Sequence, residues 1–300
     1  MATSEQLIFI NGEFKTKEEA TVSVFDHGFL YGDGVFEGIR VYEGNIFRSR
    51  EHLDRLYHSA RTICLTIPYE KDELEQYMIE TIRKNNLENA YIRLIVSRGE
   101  GGLGLDPDRC PNPNVIIIVD QVTLYPKELY EKGLPIITAS TRRNIPTALD
   151  PKVKSLNYLN NILAKIEAKQ AGMVEALMLN AEGYVAEATG DNVFLVKNGK
   201  LITPPTYIGA LEGITRQAII DLAHQLKIEV KEVPFTLHDV YTSDEVILTG
   251  TAAEVIPVVE VDGRKIGNGK PGPVMKKLWK EFQELVKVDG TRVNPQPSLK

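Results

Sequence analysis

Three tracts of strand-forming residues each break at an Asn-Gly or Asp-Gly pair, and this pattern constrains the fold more than any other feature. Such a pair tolerates positive φ at both positions and closes a tight hairpin, so the flanking runs become antiparallel neighbours. Leu7-Ile8-Phe9-Ile10 runs into Asn11-Gly12, with Thr21-Val22-Ser23-Val24 as the expected return. Phe194-Leu195-Val196 and Leu201-Ile202-Thr203 flank Asn198-Gly199, and Val255 to Val261 ends at Asp262-Gly263. Helical spacing appears at Ser49 to Cys64, Lys71 to Lys84, Leu156 to Gln170, Ile214 to Leu226 and Val274 to Val286. Further strands are expected at Tyr91 to Ser97, Asn114 to Val119, Pro135 to Ser140 and Val246 to Thr249. Hairpins mixed with helices, without strict β-α alternation, predict an α+β protein.

Three hundred residues exceed one small core, which points to two domains. Residues 1–120 read as a smaller N-terminal domain, 121–133 as a linker and 134–300 as a larger domain, with an unordered tail from Asp289. Apolar residues at 43% and charged residues at 25% exclude a disordered chain. Apolar stretches such as Val115 to Val119 are too short for a bilayer, and no signal peptide follows Met1, so no membrane partner and a cytoplasmic location are expected. A net charge of −6 without a basic block argues against nucleic acid. The two cysteines are too few for a zinc site or a disulfide framework. Cys64 falls on the apolar side of a helix and Cys110 in a loop between prolines.

Gly99-Glu100-Gly101-Gly102-Leu103-Gly104 satisfies G-x-G-x-x-G, but Leu105-Asp106-Pro107 cannot open the helix that a dinucleotide site needs. A tight loop is expected there. Leu211 to Arg216 is a better anion site, since Gly213 lets a ligand approach the backbone and Ile214 and Thr215 begin a helix. Thr249-Gly250-Thr251-Ala252-Ala253-Glu254 follows a strand and could bring amides to the same anion. The five histidines lack metal-ligand spacing, so no metal is expected, and no G-x-S-x-G elbow occurs.

Four segments taken together point further. Lys152-Val153-Lys154-Ser155-Leu156-Asn157-Tyr158 precedes a helix; Glu187 to Phe194 opens a strand; Leu201-Ile202-Thr203 and Leu211 to Arg216 follow. This span resembles the class IV aminotransferase signature. Tyr31 to Arg40, containing Phe36-Glu37-Gly38-Ile39-Arg40, is similar to a segment of branched-chain-amino-acid aminotransferases. The likeness runs from about Ile8 to Phe282. It implies the two-domain, D-alanine-transaminase-like α+β fold, with a small N-terminal α/β domain and a large pseudo-barrel domain. It also implies pyridoxal 5′-phosphate as cofactor.

On that resemblance Lys154 is the catalytic lysine, which joins the cofactor and then carries a proton; Lys152 is its rival by position. Glu187 would face the pyridine nitrogen and Tyr158 the ring hydroxyl. Arg55, Ile214, Thr215 and Thr251 would hold the phosphate. Read alone, Arg55 is a helix-surface arginine and Lys154 one of 35 basic residues. Tyr31, Phe36, Gly38, Tyr91 and Tyr125 would line the substrate pocket, Ala252 and Ala253 would receive the α-carboxylate, and Arg93 the distal carboxylate of glutamate. The implied activity is amino transfer between L-leucine, L-isoleucine or L-valine and 2-oxoglutarate, a step of branched-chain amino-acid biosynthesis. The implied assembly is a homodimer, or a higher homo-oligomer of dimers, in which the loop around Leu103 to Leu105 reaches a neighbouring subunit. Alternatives are a D-amino-acid aminotransferase, an aminodeoxychorismate lyase and a nucleotide-binding module on Gly99 to Gly104. Arg98 would serve a D-amino-acid enzyme, but Glu100 two residues on makes it a loop arginine paired with Glu100.

Overall fold

The computed structural model describes residues 6–121 and 125–294. They fall into two compact units: residues 6–121 with Val153–Asn157 and 286–294, and residues 125–152 with Tyr158–Leu285. The first contains β1 (Leu7–Ile10), β2 (Glu13–Thr16), α1 (His27–Tyr31), β3 (Gly34–Tyr42), β4 (Asn45–Phe47), α2 (Ser49–Thr62), α3 (Lys71–Lys84), β5 (Ala90–Ser97) and β6 (Asn114–Asp120). The sheet runs in the order Gly290–Arg292, β4, β3, β5, β6, β1, β2. Helices α2 and α3 cover one face, where Leu53, Leu56, Leu74, Met78 and Ile82 meet Phe9, Ile92, Leu94, Val115 and Ile117. Each such side chain contributes about 1.5–3 kcal/mol through burial. Strand alternation in β5 buries Ile92, Leu94 and Val96 against the helices and turns Tyr91 and Arg93 to the other face.

The second unit contains α4 (Lys127–Lys132), β7 (Leu134–Thr138), α5 (Pro146–Leu149), α6 (Leu159–Gln170), β8 (Ala176–Leu179), β9 (Val185–Ala188), β10 (Asn192–Lys197) and β11 (Lys200–Thr203). Then follow α7 (Ile214–Gln225), β12 (Val230–Glu232), α8 (Leu237–Tyr241), β13 (Glu245–Gly250), β14 (Glu254–Val261), β15 (Arg264–Lys265) and α9 (Pro273–Leu285). The sheet order is β12-β11-β10-β13-β14-β7-β8-β9, with β15 on β14. In a flat sheet β9 and β10 would lie five strand spacings apart, about 24 Å. The chain from Ala188 to Asn192 reaches at most about 14 Å. The sheet therefore curls into a half-barrel, and the Ala188 amide donates to the Asp191 carbonyl across the turn.

Asn11, Asn198 and Asp262 have φ near 50°, and the glycine after each is also at positive φ, as the three tight turns require. The first hairpin corrects one expectation. Its return strand is β2, paired Ile10 to Glu13, and not Thr21 to Val24, because a two-residue turn obliges pairing to resume at once. Helix α6 begins at Leu159 instead of Leu156, since Ser155 bridges Val35 and the Leu156 amide donates to the Gly34 carbonyl. Cys64 is exposed beyond the end of α2 at φ 51°, not on its apolar face. Within the stretch expected as linker, 127–132 is helical, while 122–124 lie outside the described residues. Gly290–Arg292, in the tail expected to be unordered, is a strand on β4.

Candidate active site

The site residues read from the sequence fall into two groups, one in each unit. In the first, Val153–Asn157 lies along β3. The Phe36 amide donates to the Lys154 carbonyl at 3.0 Å, and the Lys154 amide donates to Ser59 Oγ at 3.1 Å. Lys154 Nζ lies 4.6 Å from the centroid of the Phe36 ring. The ammonium thus rests on an aromatic face, held by backbone bonds to β3 and α2.

Arg55 Nε and Nη2 donate to the two oxygens of Glu37 at 2.7 and 2.8 Å, and His52 Nδ1 bonds Glu37 Oε2 at 2.7 Å. Arg55 is therefore no helix-surface arginine; its side chain is only 10% exposed. Arg93 lies 4.6 Å over the Phe36 ring and 5.5 Å from that of Tyr91. Gly38 pairs with Arg93 in the ladder, and its missing side chain accommodates the Tyr91 hydroxyl. Phe36, Gly38, Tyr91 and Arg93 thus form one aromatic and cationic patch. Tyr31 ends α1, packs edge-on against buried His27, and accepts a hydrogen bond from the Gly104 amide at 3.1 Å. His27 Nε2 bonds the Gly102 carbonyl at 2.9 Å, so two α1 residues tether the glycine-rich loop. The loop leads through a single turn, Pro107–Arg109, into β6 and not into a helix.

Arg98 differs from its expected role. It is buried and gives a two-point pair to Asp33 at 2.9 and 3.0 Å, with further bonds to the Ile63 and Cys64 carbonyls. No pair with Glu100 forms, because the guanidinium turns inward to carbonyls left at the end of α2.

In the second unit Glu187 is buried at β9, and three donors converge on it. Arg143 Nε reaches Oε1 at 2.7 Å, while the Leu211 amide and Asn192 Nδ2 reach Oε2 at 2.9 and 3.3 Å. Asn160 Oδ1 steadies Arg143 from α6, whose N-cap is Tyr158. Helix α7 starts at Gly213 with no side chain capping it, so the amides of Ile214 and Thr215 keep their bonding capacity. A Cβ on Gly213 would fall 2.0 Å from Asn192 Oδ1. Asn192 pairs with Thr249 in the ladder, which brings the start of α7 beside the β13–β14 turn of Thr251, Ala252 and Ala253. Thr249 Oγ1 is buried with no partner among the described residues. An uncapped helix start, a close-fitting glycine and an unsatisfied hydroxyl suit a phosphate; a buried, clamped carboxylate suits a ring N–H. The residues fit pyridoxal phosphate.

Tyr125, expected in the pocket, is packed in the core of the second unit with its hydroxyl 3.5 Å from Glu175. Glu175 also accepts from the Ala176 and Thr189 amides and from Lys165. Burial, then the nearby Glu175, pushes the Asp191 carboxyl up to about 8. Sequence reasoning passed over Arg143, Asn192, Ser59 and the His52–Glu37 pair. One signal was available: His52, Arg55 and Ser59 recur at helical spacing within the apolar stripe of Leu53, Leu56 and Ala60.

The family model described as Amino-transferase class IV matches residues 34–261, and the chain belongs to that family, whose cofactor is pyridoxal 5′-phosphate. A Methanocaldococcus jannaschii chain is 53% identical over 278 residues, covering 93% of this chain and 96% of its own length; its name, branched-chain-amino-acid aminotransferase, is provisional. The crystal structure of the Escherichia coli branched-chain amino acid aminotransferase superposes with a TM-score of 0.93 at 39% identity, covering 97% of this chain and 100% of its own. The Thermoproteus uzoniensis branched-chain aminotransferase, crystallised with norvaline, gives 0.90 at 35% identity over 97% and 100%. A further branched-chain amino acid aminotransferase, complexed with N-(5′-phosphopyridoxyl)-L-glutamate, gives 0.92 at 39% identity over 97% and 99%.

Proposed function

We propose that the chain is a branched-chain-amino-acid aminotransferase that moves an amino group between L-leucine, L-isoleucine or L-valine and 2-oxoglutarate. One observation carries the substrate reading: Arg93 lies over Phe36 and beside Tyr91. A cation on aromatic walls accepts an apolar side chain in one half-reaction and the distal carboxylate of glutamate in the other. The relative that carries the phosphopyridoxyl-glutamate adduct supports the second partner. The inward-facing Arg98 weighs against a D-amino-acid enzyme, since Asp33 and the Ile63 and Cys64 carbonyls already engage its Nε, Nη1 and Nη2.

Bound pyridoxal phosphate supplies an aldehyde that receives the amino group and a protonated ring that withdraws electrons. Lys154 Nζ carries the proton removed from the substrate Cα. Glu187 keeps the ring nitrogen protonated, with Arg143 fixing the carboxylate. Tyr158 holds the ring hydroxyl, and Arg55, Ile214, Thr215 and Thr251 bind the phosphate. The amides of Ala252 and Ala253 receive the α-carboxylate.

A cytoplasmic homodimer, or a larger assembly of dimers, completes the reading. Leu159, Ile162, Leu163 and Ile166 leave an apolar stripe exposed on α6, and Leu103 and Leu105 are exposed at the loop tip. A panel of L- and D-amino donors with 2-oxoglutarate tests the activity. The L-branched donors are expected to lead; a faster rate with D-alanine than with L-leucine would refute the substrate assignment.

A further inference from the structure

Glu37 is a charged residue set within the apolar core of the first unit. Strand alternation puts it on the core face of β3, between Val35 and Ile39, and its side chain is 0% exposed. Replacing such a buried ionic cluster as a whole by apolar residues is often neutral or stabilising, so stability alone does not account for it. The carboxylate is nonetheless saturated, taking both Arg55 bonds and the His52 bond. Burial works against its charge, yet Arg55 and His52 hold the carboxyl well below the usual carboxylate range. Burial also pushes His52 down, despite Glu37 beside it, so a neutral ring donates through Nδ1.

We propose that Glu37, braced by His52, is a positioning residue that fixes the Arg55 guanidinium for the cofactor phosphate. The inference rests on reading Arg55 as a phosphate ligand. Two parallel N–H···O bonds hold a guanidinium in one plane, so the freedom of a long side chain is lost before the phosphate arrives. Ser59, one turn beyond Arg55 on α2, holds the Lys154 amide, so one helix face governs both the arginine and the lysine.

Dissociation constants of the apoenzyme for pyridoxal phosphate and for pyridoxal, which lacks the phosphate, give a ratio that isolates the phosphate contribution. Glu37→Gln is expected to weaken pyridoxal phosphate about 10- to 100-fold and to leave pyridoxal within about twofold. Arg55→Ala is expected to abolish most of the same ratio, and adding Glu37→Gln to it should change nothing further. A wild-type ratio in folded Glu37→Gln, or equal losses for both ligands, overturns the proposal. If Glu37→Gln fails to fold, Glu37→Asp decides: the shorter carboxylate loses the two-point grip, so an unchanged ratio refutes the brace. An unchanged ratio in Arg55→Ala refutes instead the assignment of Arg55 to the phosphate. The ³¹P resonance of bound cofactor should broaden in Glu37→Gln as Arg55 gains freedom.

Discussion

Gly38→Ala probes the pocket wall with a single methyl group. A Cβ at Gly38 falls 1.9 Å from the Tyr91 hydroxyl oxygen and 2.7 Å from its Cζ, whereas ordinary contact begins at 3.4 Å. The hydroxyl must therefore retreat about 1.5 Å and the ring carbon about 0.7 Å, both from that comparison. Overpacking of this kind costs about 1–3 kcal/mol, and replacing a strand glycine returns about 0.5–1 kcal/mol. A net loss of about 1–2 kcal/mol is expected in urea unfolding of the apoenzyme. Because Tyr91 flanks Arg93, its displacement should also raise KM for L-leucine several-fold. Tyr91→Phe removes the atom with the worst overlap, so the Gly38→Ala, Tyr91→Phe double variant should regain about 1 kcal/mol relative to additivity. Additive single effects, or an unchanged KM in Gly38→Ala, would refute the reasoning.

Lys154→Ala should abolish turnover while the folded protein still binds cofactor noncovalently; borohydride reduction of wild type followed by peptide mapping should place the pyridoxyl group on Lys154 and not on Lys152. Glu187→Gln should reduce kcat far more than cofactor affinity, measured by steady-state rates and equilibrium dialysis, because the amide no longer keeps the ring protonated while the phosphate contacts remain. Arg98→Ala should destabilise the fold by about 3 kcal/mol, leaving Asp33 and two carbonyls unpaired, with KM for 2-oxoglutarate little changed; Arg93→Ala should show the reverse in the same two assays. Asp191 holds its proton in the fold to about pH 8 but loses it near pH 4 when unfolded, so the native state binds more protons across that window and stability falls as pH rises. Asp191→Asn should flatten this slope, melting above wild type at pH 9 and level with it at pH 4.

Helices and hairpins were legible because their signals are local. Lys71–Lys84 shows an acidic first turn, a basic last turn and an apolar face within fourteen residues, and its predicted bounds match α3. Strand β3 was not picked out, since Gly34, Glu37, Gly38 and Arg40 break any alternation of apolar residues. Those same residues carry its role: Gly38 yields space to Tyr91, and Glu37 faces α2. A strand shaped by the site loses the pattern that would announce it.

The polar interior was hidden for a related reason. Arg143, Glu187, Asn192 and Leu211 meet at one carboxylate from four separate points in the chain. No spacing rule sets all of them against one carboxylate, and the motif match assigned a role to the carboxylate alone. The same holds in the first unit, where Arg55 was named and Glu37 and His52 were not. In each unit the residue assigned to the cofactor leans on a buried charged partner that never approaches it in sequence. Such a partner is costly to bury and, removed alone, leaves an uncompensated charge behind. Substituting Arg143 by Met should therefore resemble Glu187→Gln in lost turnover and also lower stability by about 3 kcal/mol, since Glu187 stays buried without its strongest donor. Arg143→Met that retained wild-type turnover would mean that the Leu211 amide and Asn192 alone orient Glu187.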